Sequence, residues 1–130
     1  MKFQPDQLAG VNVINRVEPG RLWVNATEWT RSVLVPWQGE PRAWEVGGLP
    51  DLTAARFDEI LAFEPEVVIF GSGATLSFIQ PALYRGLIQH RIGLETMDTG
   101  AACRTYNVLA AEGRRVLAAV LVGPGAAARP

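Results

Sequence analysis

Met97-Asp98-Thr99-Gly100-Ala101-Ala102-Cys103-Arg104-Thr105-Tyr106-Asn107 decides the fold, because it reads as a buried strand running without a linker into a capped helix. A side-chain oxygen at Asp98 or Thr99 takes up an amide that the first helical turn leaves unpaired. Beyond it, Ala101, Ala102, Thr105, Val108 and Leu109 are expected on a buried face of small residues, with Arg104 and Asn107 on the polar face. Small side chains let a helix approach a sheet closely.

Outward from this stretch the pattern repeats. Apolar runs at 67–70, 93–97 and 116–122 predict strands, and 81–90 and 99–112 predict the helices between them. Pro81 suits a first helical position and Gly113 a helix end. The runs Val67-Val68-Ile69-Phe70 and Val116-Leu117-Ala118-Ala119-Val120-Leu121-Val122 are apolar continuously rather than alternately, which is the mark of strands covered on both faces. The expected fold class is therefore α/β, a three-layer β-α-β-α-β arrangement with helices on both sides of a sheet. Upstream, Leu52, Ala55, Phe57, Ile60 and Leu61 recur at helical spacing, with Asp51 or Thr53 as cap and Glu64-Pro65 as stop.

The N-terminal half has the other period. Strands are expected at 11–17, 21–24, 32–37 and 43–46, with reversals at Pro19-Gly20 and Asn25-Ala26, so this half reads as antiparallel and β-rich. All four tryptophans, Trp23, Trp29, Trp37 and Trp44, fall in it. Core packing is the ordinary fate of each, although aromatic residues beside arginines also mark partner surfaces.

The chain's 130 residues, 48% of them hydrophobic, suit one core, and the expected organisation is a single domain over 1–122 with a flexible tail over 123–130. Twelve Lys and Arg against thirteen Asp and Glu give a net charge of −1, which provides no global field for nucleic acid or an anionic membrane. No apolar run approaches the length of a membrane span. The lone Cys103 cannot form an internal disulfide, and a cytoplasmic address is expected.

Two loops are the candidates for a site. Gly71-Ser72-Gly73 follows the 67–70 strand, where backbone amides can approach an anion without a side-chain clash; it is otherwise a tight turn. It lacks the Gly-x-Gly-x-x-Gly spacing and the lysine of a phosphate-binding loop. Asp98 and Thr99 follow the 93–97 strand. Ligands of open α/β sheets collect outside the carboxyl ends of parallel strands, so both loops are expected at one crevice, with Arg104, Tyr106 and Asn107 as further ligand-binding candidates. Cys103 near a helix start and beside Arg104 has two features of an activated thiol, but His90 is the only histidine and more naturally ends its own helix. Packing is the ordinary role of such a cysteine. No catalytic set, metal site or cofactor motif is recognisable.

The run from Met97 to Leu109, with Glu112-Gly113-Arg114-Arg115-Val116, Gly71-Ser72-Gly73 and the Pro41 to Trp44 segment, resembles a small-domain family. Its eukaryotic members include mitochondrial complex I assembly factor 3, an NADH dehydrogenase alpha-subcomplex assembly factor, and an adipogenesis-associated protein. The resemblance covers about Val11 to Val122. It implies a three-layer α/β fold with a central mixed β-sheet flanked by helices, and supplies no catalytic residues to carry over. The chain lacks the Arg-rich presequence of the mitochondrial members, so a bacterial cytoplasmic member is expected.

The leading expectation is a non-enzymatic protein-binding or accessory domain with a protein partner, no nucleic acid and no membrane insertion. The alternative is a small anionic metabolite bound at Gly71-Ser72-Gly73 and Asp98-Thr99. Hydrolysis or thiol chemistry through Ser72 or Cys103 ranks last.

Overall fold

The apolar runs 67–70 and 116–122 form the interior of a five-stranded sheet, whereas 93–97, expected to be buried, is its half-exposed edge. The computed structural model describes residues 10–123. Its strands are β1 (Ile14–Glu18), β2 (Arg21–Val24), β3 (Thr27–Trp29), β4 (Val33–Pro36), β5 (Arg42–Ala43), β6 (Val67–Gly71), β7 (Gly93–Met97) and β8 (Val116–Val120). The helices are α1 (Ala54–Asp58), α2 (Arg85–Gln89) and α3 (Thr99–Ala111).

The large sheet has the order β5-β4-β8-β6-β7. β6 runs parallel to both β7 and β8, whereas β4 is antiparallel to β8 and to β5, so the sheet is mixed. β8 is buried along its whole length, and Ala118 and Ala119 at its centre leave room for elements on both faces. One face packs Ile69, Ala118 and Val120 against Ala102, Cys103 and Tyr106 of α3. The same core takes in Ile14, Leu22 and Val24 of a separate antiparallel sheet, β1-β2-β3. The other face packs Val68, Phe70 and Leu117 against Phe57, Ile60 and Leu87. There Trp44 meets Phe57 and Phe70 edge-on, with ring centroids 5.4 and 6.2 Å away. Three layers result, in agreement with the sequence. No helix among the described residues is long and apolar enough to cross a membrane.

The departures have local causes. β3 was not expected: its three residues include the exposed Thr27 and Glu28, so it has no apolar run to announce it. The helix expected over 52–61 starts where Thr53 accepts the Arg56 amide but tightens into a 3-10 turn over Glu59–Phe63. It stops at Glu64, held in the left-handed region (φ 53°) before Pro65. The segment 81–90 likewise begins as a 3-10 turn, Pro81–Tyr84, before α2. On α3, Val108 is 57% exposed rather than buried, and Cys103, Tyr106 and Ala110 take the core positions, because the face that packs on the sheet is centred on Ala102 and Tyr106 and Val108 lies opposite it. Gly113, with φ +85°, follows the end of α3. Most of the expected tail, 124–130, lies outside the described residues; Gly123 itself is buried, and a Cβ there would meet the Thr30 carbonyl at 3.0 Å.

Candidate functional site

Because β6 and β7 are parallel neighbours in register, Gly71 opposite Met97, the loops that follow them leave the same edge of the sheet. Thr99 ties them together. Its amide donates to the Gly73 carbonyl at 2.8 Å, its Oγ1 accepts the Gly73 amide at 3.0 Å, and the same hydroxyl donates to the Leu121 carbonyl at 2.9 Å. Three chain segments beyond β6, β7 and β8 are thus joined through one buried side chain. Gly71 makes room for it, since a Cβ there would lie 2.8 Å from Val120 Cγ1 and 3.0 Å from Thr99 Cα.

Ser72 turns inward. Its amide donates to the Met97 carbonyl at 2.8 Å, and its Oγ lies 2.8 Å from the Thr75 carbonyl and 3.2 Å from that of Met97 while accepting the Ser77 amide at 2.9 Å. Both the amide and the hydroxyl of this serine organise the loop. Asp98 caps α3, its Oδ1 accepting the Ala101 amide at 2.9 Å.

Outside these loops lies a cleft of about 470 Å³ lined by residues 17–21, 73–74, 98–100 and 121–123. Its volume is in the range of small-molecule and peptide side-chain pockets. Val17, Pro19, Leu121 and Val122 give it apolar walls, and Glu18, Arg21 and Asp98 its charges. Glu18 is paired with Arg16 and, at 3.8 Å, with Arg21, which also reaches Glu28 at 3.1 Å. The amides of Gly73, Thr99 and Ala101 are all engaged within the protein, so these donors are not free for an anion.

Of the residues singled out in the sequence, Gly73, Asp98 and Thr99 line the cleft, and Gly71 and Ser72 support it from behind. The others face elsewhere. Arg104 is exposed on α3. Tyr106 is buried with its hydroxyl 2.9 Å from the Asn12 carbonyl and 3.1 Å from that of Pro36, and burial raises its phenol pKa. Asn107 pairs twice with the backbone of Ile14. Tyr106 and Asn107 of the Thr-Tyr-Asn signature therefore bind α3 to the N-terminal half, while Thr105 contacts Met97 of β7. Cys103 is 2% exposed, and burial, outweighing the favourable field of Arg104 and aided by Asp98, pushes its thiol up to about 12. The helix start and neighbouring guanidinium noted in the sequence are present, but desolvation dominates, as in a packed cysteine. His90 ends α2, its Nδ1 2.8 Å from the Gly86 carbonyl.

The cleft wall at 17–21 was not anticipated as part of the site. Pro19-Gly20 marked the turn, with φ +80° at Gly20, but nothing in its local sequence says where the hairpin docks. Among the tryptophans, Trp44 is core, while Trp23 is half-buried beneath Arg16 and Arg21, whose guanidinium carbons lie 5.1 and 6.0 Å from its ring. No group of three or more His, Cys, Asp or Glu suited to a metal ion occurs among the described residues.

Known proteins share this framework. A family model described as protein of unknown function (DUF498/DUF598) matches residues 14–121. NADH dehydrogenase (ubiquinone) 1 alpha subcomplex assembly factor 3 of Bos taurus is 38% identical over 87 residues, 65% of this chain and 47% of that protein. The chain thus spans about half the length of this curated relative. An uncharacterized protein of Rhodobacter capsulatus is 40% identical over 79 residues, 61% of either chain. A crystal structure of a Bordetella parapertussis protein superposes with a TM-score of 0.83 at 32% identity, covering 89% of this chain and 99% of that one.

Proposed function

The chain belongs to the DUF498/DUF598 family of proteins of unknown function, and on that premise we propose that it is a non-enzymatic accessory domain that binds a protein partner during the assembly of a larger complex. Relatives named as assembly factors support an accessory role at the level of the family. The partner and the compartment, which we take to be cytoplasmic, are the proposal's own.

One observation carries it. The cleft between the β1–β2 turn and the strand ends keeps apolar walls open to solvent, while the hydroxyls of Ser72 and Tyr106 are occupied in holding the fold together. An apolar recess rimmed by charges accepts a side chain of another protein as readily as a small molecule. The anionic-metabolite reading has no comparable support, because the amides it requires are already bonded and Asp98 stands at the helix start.

A photo-crosslinking residue at Pro19 tests this in a cell lysate. The expected result is one discrete adduct, lost when the crosslinker is moved to exposed Ala54 on the far face of the sheet. A background pattern identical at both positions refutes the proposal.

A further inference from the structure

We propose that β7 is a docking edge that takes an extended segment of a different protein as a sixth strand, with a basic residue of that segment opposite Glu95. The inference rests on the partner-binding reading above and assigns that reading a second surface.

β7 is the last strand of the large sheet, and no described strand pairs with its outer side. The Gly93 amide donates to the Glu66 carbonyl and the Met97 carbonyl accepts from the Ser72 amide, so Gly93, Glu95 and Met97 direct their backbone groups toward β6. By the alternation of a strand, Leu94 and Thr96 direct theirs outward. An edge of this kind is a template for strand addition.

The surroundings of this edge are unusually apolar. Three of the six large hydrophobic residues exposed among the described residues, Leu76, Phe78 and Ile88, sit on elements that border β7. On the α3 side Thr105 flanks the strand, its hydroxyl contacting Met97 Sδ at 3.3 Å. Ile88 is on α2, which packs against β7 from the opposite layer. Leu76 and Phe78 belong to the loop that Ser72 fastens to the Met97 end of the strand. A sixth strand would have exposed apolar side chains near it from the α2 layer and from the loop at the Met97 end of the strand.

Charge selects the occupant. A second copy pairing antiparallel along all five residues of β7 would set Glu95 against Glu95 on the same face, and relieving this by a slip of two residues gives up part of the pairing. A foreign strand with lysine or arginine at that place gains where the self-pair loses. The carboxylate on this edge therefore disfavours the dimer and favours a basic partner strand.

The test is an NMR titration of the full chain to millimolar concentration with two synthetic peptides of alternating valine and threonine, one with lysine and one with glutamate at the centre. The lysine peptide is expected to shift the Leu94 and Thr96 amides and slow their hydrogen exchange, binding about fivefold more tightly than the glutamate peptide. Glu95→Lys should reverse the preference. Thr96→Pro should abolish binding while leaving the ladder to β6 intact, since it removes only an outward donor. The proposal is overturned if neither peptide perturbs β7, if Glu95→Lys leaves the order unchanged, or if those amides are already protected in the free chain. Protection that grows with protein concentration would identify a second copy instead. In each of these cases a discrete Pro19 adduct would leave the accessory-domain reading standing.

Discussion

Asn107 uses its side-chain amide as a one-residue strand against Ile14: Oδ1 accepts the Ile14 amide at 2.9 Å and Nδ2 donates to the Ile14 carbonyl at 2.8 Å. The pairing joins α3 to β1 across 93 residues of sequence. Replacing Asn107 by alanine removes two partners from partly buried backbone groups, each worth about 0.5–1.5 kcal/mol net. Asn107→Ala should therefore lower the unfolding free energy by about 1–3 kcal/mol, read as a reduced urea midpoint. Asn107→Asp keeps the acceptor but loses the donor and should fall between.

Stability should decline in alkaline solution because two buried acids stay protonated in the fold. The Cys103 thiol is pushed up to about 12 from an ordinary value of about 9, and burial also raises the Tyr106 phenol. Well below pH 9 neither state has lost these protons, and their contribution is complete. Above it, the unfolded thiol ionises first, favouring unfolding by roughly 1.4 kcal/mol per pH unit for each group until the folded pKa is reached. Urea midpoints measured between pH 8 and 10.5 should fall, and Cys103→Ala should flatten the curve. A native thiol that reacts with a disulfide reagent as fast as the urea-unfolded chain would contradict the burial behind both effects.

The sequence announced the large sheet because each of its central strands is an apolar run, and the Asp98 cap because capping chemistry is local. It announced one rim of the cleft, where the loops after β6 and β7 share a sheet edge, but not the wall at 17–21. That depends on the β1–β2 turn reaching the far ends of β6 and β7, which follows from Asn107 and Tyr106 gripping residues 12–14. Both residues were visible as polar groups on a helix; their partners, 70 to 94 positions away, were not. Cys103 shows the same divide: its favourable neighbours are read from the sequence, whereas its desolvation comes from tertiary packing.

Gly71 and Gly100 should respond oppositely to alanine. At Gly71 the new methyl would press on Val120 and on the backbone of Thr99, neither of which can swing away. Gly71→Ala should cost about 1–3 kcal/mol through overpacking and shift the Gly73 and Thr99 amide resonances. At Gly100, inside the first turn of α3, the nearest atoms are Arg104 Nη1 and Asp98 Oδ1, both at an ordinary 3.5 Å. Gly100→Ala should stabilise the protein by up to about 1 kcal/mol, since only the helix preference of the residue changes. Thermal melts of the two variants should move to opposite sides of the wild type.

Asp98 holds two positions at once, cap of α3 and rim of the cleft, and substitutions can separate them. Its Oδ1 accepts the Ala101 amide, a bond that an asparagine oxygen can also make. Asp98→Ala should lose about 0.5–2 kcal/mol of stability, whereas Asp98→Asn should retain most of it, less a few tenths for the lost charge at the helix start. A partner that reads the cleft's shape and apolar walls should crosslink at Pro19 equally well in Asp98→Asn and in the wild type. Crosslinking that vanishes in the well-folded Asp98→Asn would make the carboxylate itself a recognition element, and the occupant of the cleft would then be a cationic group.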